Sequence, residues 1–579
     1  MTENKNFHRA SATDFKKIPG SPIAYWVSAR VRDIFCKNKL LGEMSTPRQG
    51  MSTSANDRFL RQWYEVSFVN IGLCCSSREE SILSKKKWFP YNKGGSYRKW
   101  YGNQDYVVNW ENDGGELREW ANYLNRVGTS MGRLVSKEFY FKSSLSWSKV
   151  TAGGLAVRYY PKGFIFDVSG CSIFFKDTEI RELILNFFNS KLKVPLFSSM
   201  SPTINYEVGQ ISKTPINLNY DNDAKNRISK IFSLAIDSAK SDWDSSEISW
   251  DFLGITLNHL SYRQPKLKAT YQKLRTHWQE MTLEMQRLEE ENNLIFIKAY
   301  GLQDELTPEV PLKEITLTCN PHYRYGGNKN EDELETLLLA DTMKEFISYA
   351  VGCMFGRYSL DKPGLILANQ SETIEDYLNQ IPEPTFMADD DNVIPILDDN
   401  WFTDDIAERF QRFLRVTFGD EHYETNLKFI EKAIGKNIRK YFLKDFYTDH
   451  VKRYKKRPIY WLFSSPKGNF NALIYMHRYR SDTVSVILND YLREFRTKLI
   501  ARKEHLEKVS ISATADNREK TTALKEIEKL TKIIDELNAY ENDTLYPLAI
   551  QNIEIDLDDG VKTNYPKFGN ALKKIPGLS

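Results

Sequence analysis

No run of about 18 apolar residues occurs in the 579-residue sequence, so nothing in it is built to span a bilayer. Met1 to Pro19 is polar and lacks the apolar core of a secretory signal, which predicts a cytoplasmic protein with no membrane partner. Cysteine is scarce: six residues, with Cys74 and Cys75 adjacent and no C-x-x-C. That pattern excludes a disulfide framework and offers no zinc site. The eight histidines (8, 259, 277, 322, 422, 450, 477 and 505) are scattered without ligand spacing. H-E-x-x-H, G-x-S-x-G, the Walker loop and a G-x-G-x-x-G after a strand are all missing. The glycine pairs at 94–95, 114–115, 153–154 and 326–327 lack the strand–loop–helix setting of a phosphate cradle.

What is present reads as a multidomain globular chain. Hydrophobic residues make up 41% and charged residues 27%, and the length is too great for one hydrophobic core. The net charge of +3 conceals an asymmetry. Met1 to Tyr220 carries 31 Lys and Arg against 19 Asp and Glu, an excess of twelve, which leaves the remainder at minus nine. A basic segment joined to an acidic one predicts that the first faces a polyanion, most simply nucleic acid.

The expected fold class is α+β: a mixed α/β domain followed by a mostly helical region with coiled-coil-like helices. After a polar tail, 1–16, the basic domain is placed at 17–220. Ile23 to Phe35 has helical spacing behind Ser21-Pro22, and a second helix is expected from Asp177 to Leu192. Strands are expected at Glu65–Val69, Asp105–Trp110, Glu138–Phe141 and Gly163–Val168. A helical spacer follows at 221–330. Within it, Leu267, Tyr271, Leu274, Trp278, Met281, Met285, Leu288, Asn292 and Ile295 alternate by four and three residues, a heptad seam. Such a seam serves either another chain or a domain of this one. Residues 331–480 are mostly helical, broken by the acidic stretch Pro382–Asp405, whose aspartates lack calcium-loop spacing and read as a solvated loop. Residues 481–579 hold an antiparallel hairpin, Val484–Val509 and Arg518–Ala539, around the polar break Ser510–Asn517.

Two basic–aromatic stretches suit nucleic acid. Lys85, Lys86 and Lys87 lead into Trp88-Phe89, then Lys93, Arg98, Lys99, Trp100 and Tyr101. Lys436 to Lys467 interleaves basic residues with Tyr441, Tyr447, Tyr454 and Trp461, and Lys455-Lys456-Arg457-Pro458 reads as an exposed turn. A separate tetrapeptide, Asn320-Pro321-His322-Tyr323, approaches the (D/N/S)-P-P-(Y/F) element with which amino-group DNA methyltransferases hold a flipped base. It has His where that element has Pro, and no glycine-rich S-adenosylmethionine loop accompanies it. Asn320 and Tyr323 are therefore weak catalytic candidates, beside the simpler reading of a surface turn.

Taken in order, several segments resemble a known family. Arg48-Gln49-Gly50, Asn56-Asp57-Arg58-Phe59-Leu60-Arg61 and Trp63 look like the opening of the target-recognition region of large adenine-specific DNA methyltransferases. Trp88–Tyr101, Trp110–Gly114, Gly163–Ser169, Tyr206–Ile216, Ile297–Glu309, Arg439–Tyr447 and Pro458–Tyr475 extend the match. Together they resemble the C-terminal half of the PglX group, the methyltransferases of BREX phage-defence systems, from about Phe15 onward. Two departures stand out. The group has a Thr-Gly pair where this chain has Thr53-Ser54-Ala55, and glycine tolerates a left-handed turn better than serine. The group's catalytic domain, with its cofactor loop and NPPY-type motif, has no counterpart here, which implies a split or truncated product.

The resemblance implies a DNA-recognition and assembly part of a site-specific adenine-N6 methyltransferase. The implied DNA contacts are Arg48, Asn56, Arg58, Arg61, Lys93, Arg98 and Lys99, followed by Lys85, Lys86, Lys87, Lys455, Lys456 and Arg457. The implied partners are double-stranded DNA, a catalytic methyltransferase domain or chain, and other BREX components. No cofactor is expected on this chain, whereas S-adenosylmethionine is implied for the complete enzyme. The rival expectations are a self-sufficient methyltransferase centred on Asn320–Tyr323 and a helical scaffold that does not bind DNA.

Overall fold

The computed structural model describes residues 11–128, 133–200 and 203–578. The chain forms two compact units. Unit 1 gathers Met1–Trp63, Asn70–Ser249 and Arg275–Leu334; unit 2 gathers Tyr64–Val69, Trp250–Leu274 and Glu335–Ser579. The class is α+β, with small sheets among many helices.

Unit 1 is built on two four-stranded sheets and a ribbon. Its strands are β1 (Lys39–Leu40), β2 (Thr46–Arg48), β3 (Leu60–Gln62), β4 (Trp88–Asn92), β5 (Tyr106–Asn109), β6 (Ser144–Ser148), β7 (Val157–Tyr160), β8 (Ile165–Phe166), β9 (Gly170–Phe174) and β10 (Pro215–Ile216). One sheet runs β2-β9-β6-β7, the other β3-β5-β4-β8, and β1 pairs with β10. All pairings are antiparallel except β4 with β8. The strands β4, β6 and β9 are buried along their whole length, although β6, Ser-Leu-Ser-Trp-Ser, alternates polar and apolar residues. Phe89, Tyr91, Val108, Ile165, Phe166 and Phe174 form one core, and Leu145, Trp147, Val157 and Ile173 join a second core with the helices.

The helix Thr178–Asn189 forms where its spacing places it, capped by Asp177, whose carboxylate accepts from the Glu179 amide at 2.8 Å. The first helix starts later than expected, at Ala29–Lys37. Its cap is Ser28, which accepts from the Val31 amide, whereas Ser21 sits in a left-handed turn at φ 49°. The helix Leu267–Ala299 contains the heptad seam. From Arg275 onward that seam is filled by this chain: Met285, Leu288 and Ile295 pack with Ile184 and Phe187, and the Asn292 amide donates to the Asn186 carbonyl at 2.8 Å. A buried asparagine that finds a backbone acceptor fixes register without a partner chain.

Two expected strands do not form. Glu65–Val69 falls between and into two 3-10 turns, Trp63–Glu65 and Phe68–Asn70, because its polar side chains are claimed by distant segments of unit 2. Glu65 accepts from the Val561 amide at 3.0 Å, and Ser67 accepts from the Gln370 amide at 3.0 Å. Lys137–Phe139 is likewise a 3-10 turn, with Phe141 left-handed at φ 66°.

Unit 2 surrounds a three-stranded antiparallel sheet, β11 (Ile394–Pro395), β13 (Asn471–Tyr475) and β12 (Tyr460–Ser464), in that order. Its C-terminal hairpin pairs Glu494–Ile511 with Asn517–Tyr540. Arg493 and Arg496 reach Glu541, and Arg502 reaches Glu526, so partner numbers fall as the first helix rises: the two are antiparallel, as expected. The acidic stretch is not the solvated loop its composition suggests. Asp405 is fully buried, caps the helix Ile406–Phe418 and pairs with Arg439 at 2.9 Å. Asp389 is 4% exposed and accepts a hydrogen bond from Arg409 at 3.3 Å.

Of the cysteines, Cys36 and Cys74 are exposed and Cys75, Cys171, Cys319 and Cys353 are buried, all as free thiols. Burial pushes the Cys171 thiol up to about 12 and the Cys353 thiol above its ordinary range. No helix among the described residues is long and apolar enough to cross a membrane.

Candidate nucleic-acid interface

The loops that carry the recognition-like motif meet at one rim of unit 1. The Val168 amide donates to the Met51 carbonyl at 3.0 Å, the Ser52 amide to the Arg133 carbonyl at 2.9 Å, and the Asp167 amide to the Asn92 carbonyl at 2.9 Å. Segments far apart in sequence, 49–56, 92–96, 133–142 and 167–169, thereby form one cluster. Glycine is required inside it. A Cβ on Gly50 would stand 1.9 Å from the Phe166 carbonyl oxygen, so only glycine permits that backbone approach.

Next in the chain, Thr53 donates through its hydroxyl to the Asn56 side-chain oxygen at 2.7 Å, and Asn56 opens the short helix Asn56–Phe59. Between them Ser54 takes φ 55°, the left-handed conformation that the Thr-Gly pair of the resembling group would take without strain. Ser54→Gly should therefore raise stability by roughly 1 kcal/mol, read as a higher urea midpoint; an unchanged or lower midpoint would show that the turn carries no strain.

The exposed cations on this rim are held by aromatic rings. The Arg48 guanidinium lies 5.4 Å from the centroid of Phe139, and the Lys142 ammonium 5.5 Å from the same ring. Arg48 donates only to the carbonyl of its own neighbour, Pro47, and among the described residues neither cation has a carboxylate partner. Arg58 is positioned differently. It pairs with Glu116 at 2.7 Å and stacks over Trp120 at 5.2 Å, leaving its side chain 49% exposed. Lys93 lies 3.7 Å from Asp167, which also accepts from the Tyr91 hydroxyl at 2.6 Å.

Three of the sequence candidates stand elsewhere. Arg61 is 9% exposed, donates to the Asp57 and Leu60 carbonyls and stacks 5.3 Å over Trp88, so it supports the strand start. Arg98 is 5% exposed and is bound by Asp242 at 3.2 Å and by Thr318, against Trp243. Lys99 is 3% exposed and pairs with Glu289, whose second oxygen accepts from the Trp100 indole at 2.8 Å. Burial opposes its charge, but Glu289 and Tyr97 outweigh burial and hold the Lys99 amine above its ordinary range. These two cations face the interior. Their charges are spent on these ion pairs, so neither is an unneutralised cation of the kind found on the Arg48 rim.

Lys85 is exposed in a left-handed turn, while Lys86 and Lys87 are half-buried, with Lys87 5.7 Å from the Trp88 ring. In unit 2 Lys455 and Lys456 form the expected exposed turn, both left-handed at φ 51° and 60°, and Arg457 lies 3.7 Å from Glu65.

Asn320 does not form a surface turn either. It is fully buried, and its amide donates to the Leu312 and Ile315 carbonyls at 2.7 and 2.8 Å while its oxygen caps the His322 amide. The Tyr323 hydroxyl donates to the Tyr97 carbonyl at 2.6 Å. Every polar position of the side chain that would hold an exocyclic amine is spent on the loop itself. The tetrapeptide thus does not fit the methyl-donor chemistry of its near-match. Lys142 is absent from the sequence candidates, although the aromatic run Phe139-Tyr140-Phe141 directly before it is a basic–aromatic signal.

No family model matches the chain. Two curated proteins do. The chain is 35% identical to the adenine-specific methyltransferase BrxX of Escherichia coli O9:H4 (strain HS) over 99% of its own length. It is 36% identical to the adenine-specific methyltransferase PglX of Lacticaseibacillus casei (strain Zhang), again over 99%. It is similar to both from end to end. In each case it spans 46% of the relative, about half the length of the proteins it matches.

Proposed function

We propose that this chain is the DNA-recognition and assembly part of a BREX-type, PglX-like adenine-N6 DNA methyltransferase, and that the methyl donor and its pocket reside outside these residues. Unit 1 grips duplex DNA through the rim around Arg48, and unit 2 supplies docking surface for the catalytic part or other BREX components. The observation that carries this reading is the similarity of the whole chain to about half of two adenine-specific methyltransferases, combined with rim cations that no carboxylate among the described residues neutralises. Arginine and lysine in that state suit phosphate oxygens, and the side-chain amide of Asn56 beside them is of the kind that reads base edges, whereas Arg58 is engaged by Glu116. Because the Asn320 amide is consumed internally, nothing favours a self-contained transferase centred there. Titration with S-adenosylmethionine should give no heat, and appreciable binding by this chain alone would favour that rival.

The purified chain should shift duplex DNA at low salt, with log affinity falling steeply against log salt. Arg48→Ala combined with Lys142→Ala should weaken binding about tenfold or more and reduce the slope by about 2, one for each phosphate no longer neutralised. Lys455→Ala with Lys456→Ala should do less. The reverse order would move the grip to unit 2, and an absent low-salt shift would favour the scaffold.

A further inference from the structure

A cavity of about 550 Å³ opens in unit 1 between Tyr97, the Gly153–Gly154 turn, the start of the helix Lys193–Met200 and the flank of the helix Leu267–Ala299. Its walls mix apolar side chains, Leu155, Phe197 and Val310 among them, with a charged set. Lys99 and Glu289 lie within it as a buried ion pair, their side chains 3% and 2% exposed. Glu289 is already satisfied on both oxygens, by the Lys99 ammonium and the Trp100 indole, so its charge is spent on the wall. Lys99 retains further N–H donors, since an ammonium has three and one acceptor is in place.

Lys193 lines the same cavity, close enough to Lys99 that the two like charges oppose one another. Among the described residues its ammonium has no hydrogen-bond acceptor and no ion-pair partner. The Tyr97 hydroxyl, a further donor, sits in the field of Lys99, Glu289 and Glu314. Lys191 and Glu314 complete the charged lining. A partly desolvated ammonium without an acceptor is costly, and a second cation beside it raises that cost. One anion placed between the two lysines would remove both penalties.

We propose that this cavity binds a tetrahedral oxyanion of the phosphate type between Lys193 and Lys99, with the Tyr97 hydroxyl as a third donor. The site is separate from the rim around Arg48 and stands whether or not the chain binds DNA. In the empty cavity, burial and then Lys99 push the Lys193 amine down to about 7, against the pull of Glu289 and Glu314. An anion favours the charged amine, so binding takes up a proton when the pH lies above that value. The bound state binds more protons than the free state there, and affinity must fall as pH rises.

The probe is inorganic sulfate, which does not itself titrate in this range, followed by inorganic phosphate, each titrated calorimetrically into the full chain. Sulfate affinity should be roughly constant below pH 6 and fall about tenfold per pH unit above about 7.5, the slope of one linked proton. Lys193→Met, with an unchanged thermal midpoint, should lose at least about tenfold in affinity and all of the pH dependence. A short duplex then distinguishes the two sources of phosphate. Displacement of sulfate by DNA assigns the site to the polynucleotide backbone, and undiminished sulfate binding beside bound DNA assigns it to a free phosphate compound. Wild-type protein that binds neither anion at 20 mM overturns the proposal, as does a folded Lys193→Met variant that binds sulfate as the natural chain does.

Discussion

Lys99→Ala should cost about 3–5 kcal/mol of stability, and Arg98→Ala a similar amount, whereas Arg48→Ala should stay within about 0.5 kcal/mol. The difference follows from where each cation sits. Removing Lys99 takes the ion-pair partner from Glu289, its side chain 2% exposed, and leaves the Trp100 indole as its hydrogen-bond donor. Removing Arg98 strands Asp242, which otherwise also accepts the Thr318 and Cys319 amides at 2.7 and 2.9 Å. Truncating Arg48 removes a ring stack and no ion pair. Urea unfolding followed by tryptophan fluorescence reads the effect directly. Lys99→Met combined with Glu289→Leu should recover most of the loss, because replacing a buried pair by apolar groups is far milder than breaking it. A Lys99→Ala variant as stable as the natural protein would show that this pair opens freely, and Lys99 would return as a DNA contact.

A second large effect concerns pH and the aspartates of unit 2. Burial pushes the Asp389 carboxyl up to about 8, and Arg409 opposes that rise without cancelling it. Asp391 and Asp404 stand close by, both hydrogen-bonded to the single Tyr491 hydroxyl at 2.9 and 2.8 Å. One hydroxyl carries one hydrogen, so the group is short of protons when every carboxylate is charged. The native state therefore holds a proton on Asp389 that the unfolded chain has already released above about pH 4. The stabilisation is complete below that pH and is lost as the pH climbs toward 8. Asp389→Asn fixes the neutral form and should flatten the decline in thermal midpoint between pH 5 and 8, crossing above the natural protein at the alkaline end. Parallel curves for the two proteins would contradict this account.

Much of the architecture was legible where the determinants are local. The helix Thr178–Asn189 announces itself through an Asp cap and apolar spacing, and the hairpin Glu494–Ile511 with Asn517–Tyr540 through a polar break between heptad-like runs. The exposed turn at Lys455-Lys456 was readable because proline follows at 458. What escaped was set by partners distant in sequence. Lys99 and Glu289 are 190 residues apart, so a run of Arg, Lys, Trp and Tyr looks like a DNA-binding patch until its acid is seen. Asn320 escaped for a different reason: the carbonyls that consume its amide are only eight and five residues away, in a turn without any motif. Glu65 and Ser67 sit in a strand-like run yet serve amides hundreds of positions away. The heptad seam shows the opposite lesson: its spacing was right, but spacing alone could not say which chain fills it.

The distribution of thiols gives a practical handle on the molecule. Maleimide reacts with accessible thiolates, so at neutral pH a fluorophore should attach at Cys36 and Cys74, both in unit 1. Cys353, the one cysteine of unit 2, is buried and held protonated, and should stay unmodified. A dye can thus be placed on the half that carries Arg48 without engineering a new attachment point, and quenching by an acceptor-labelled duplex would report docking there in real time.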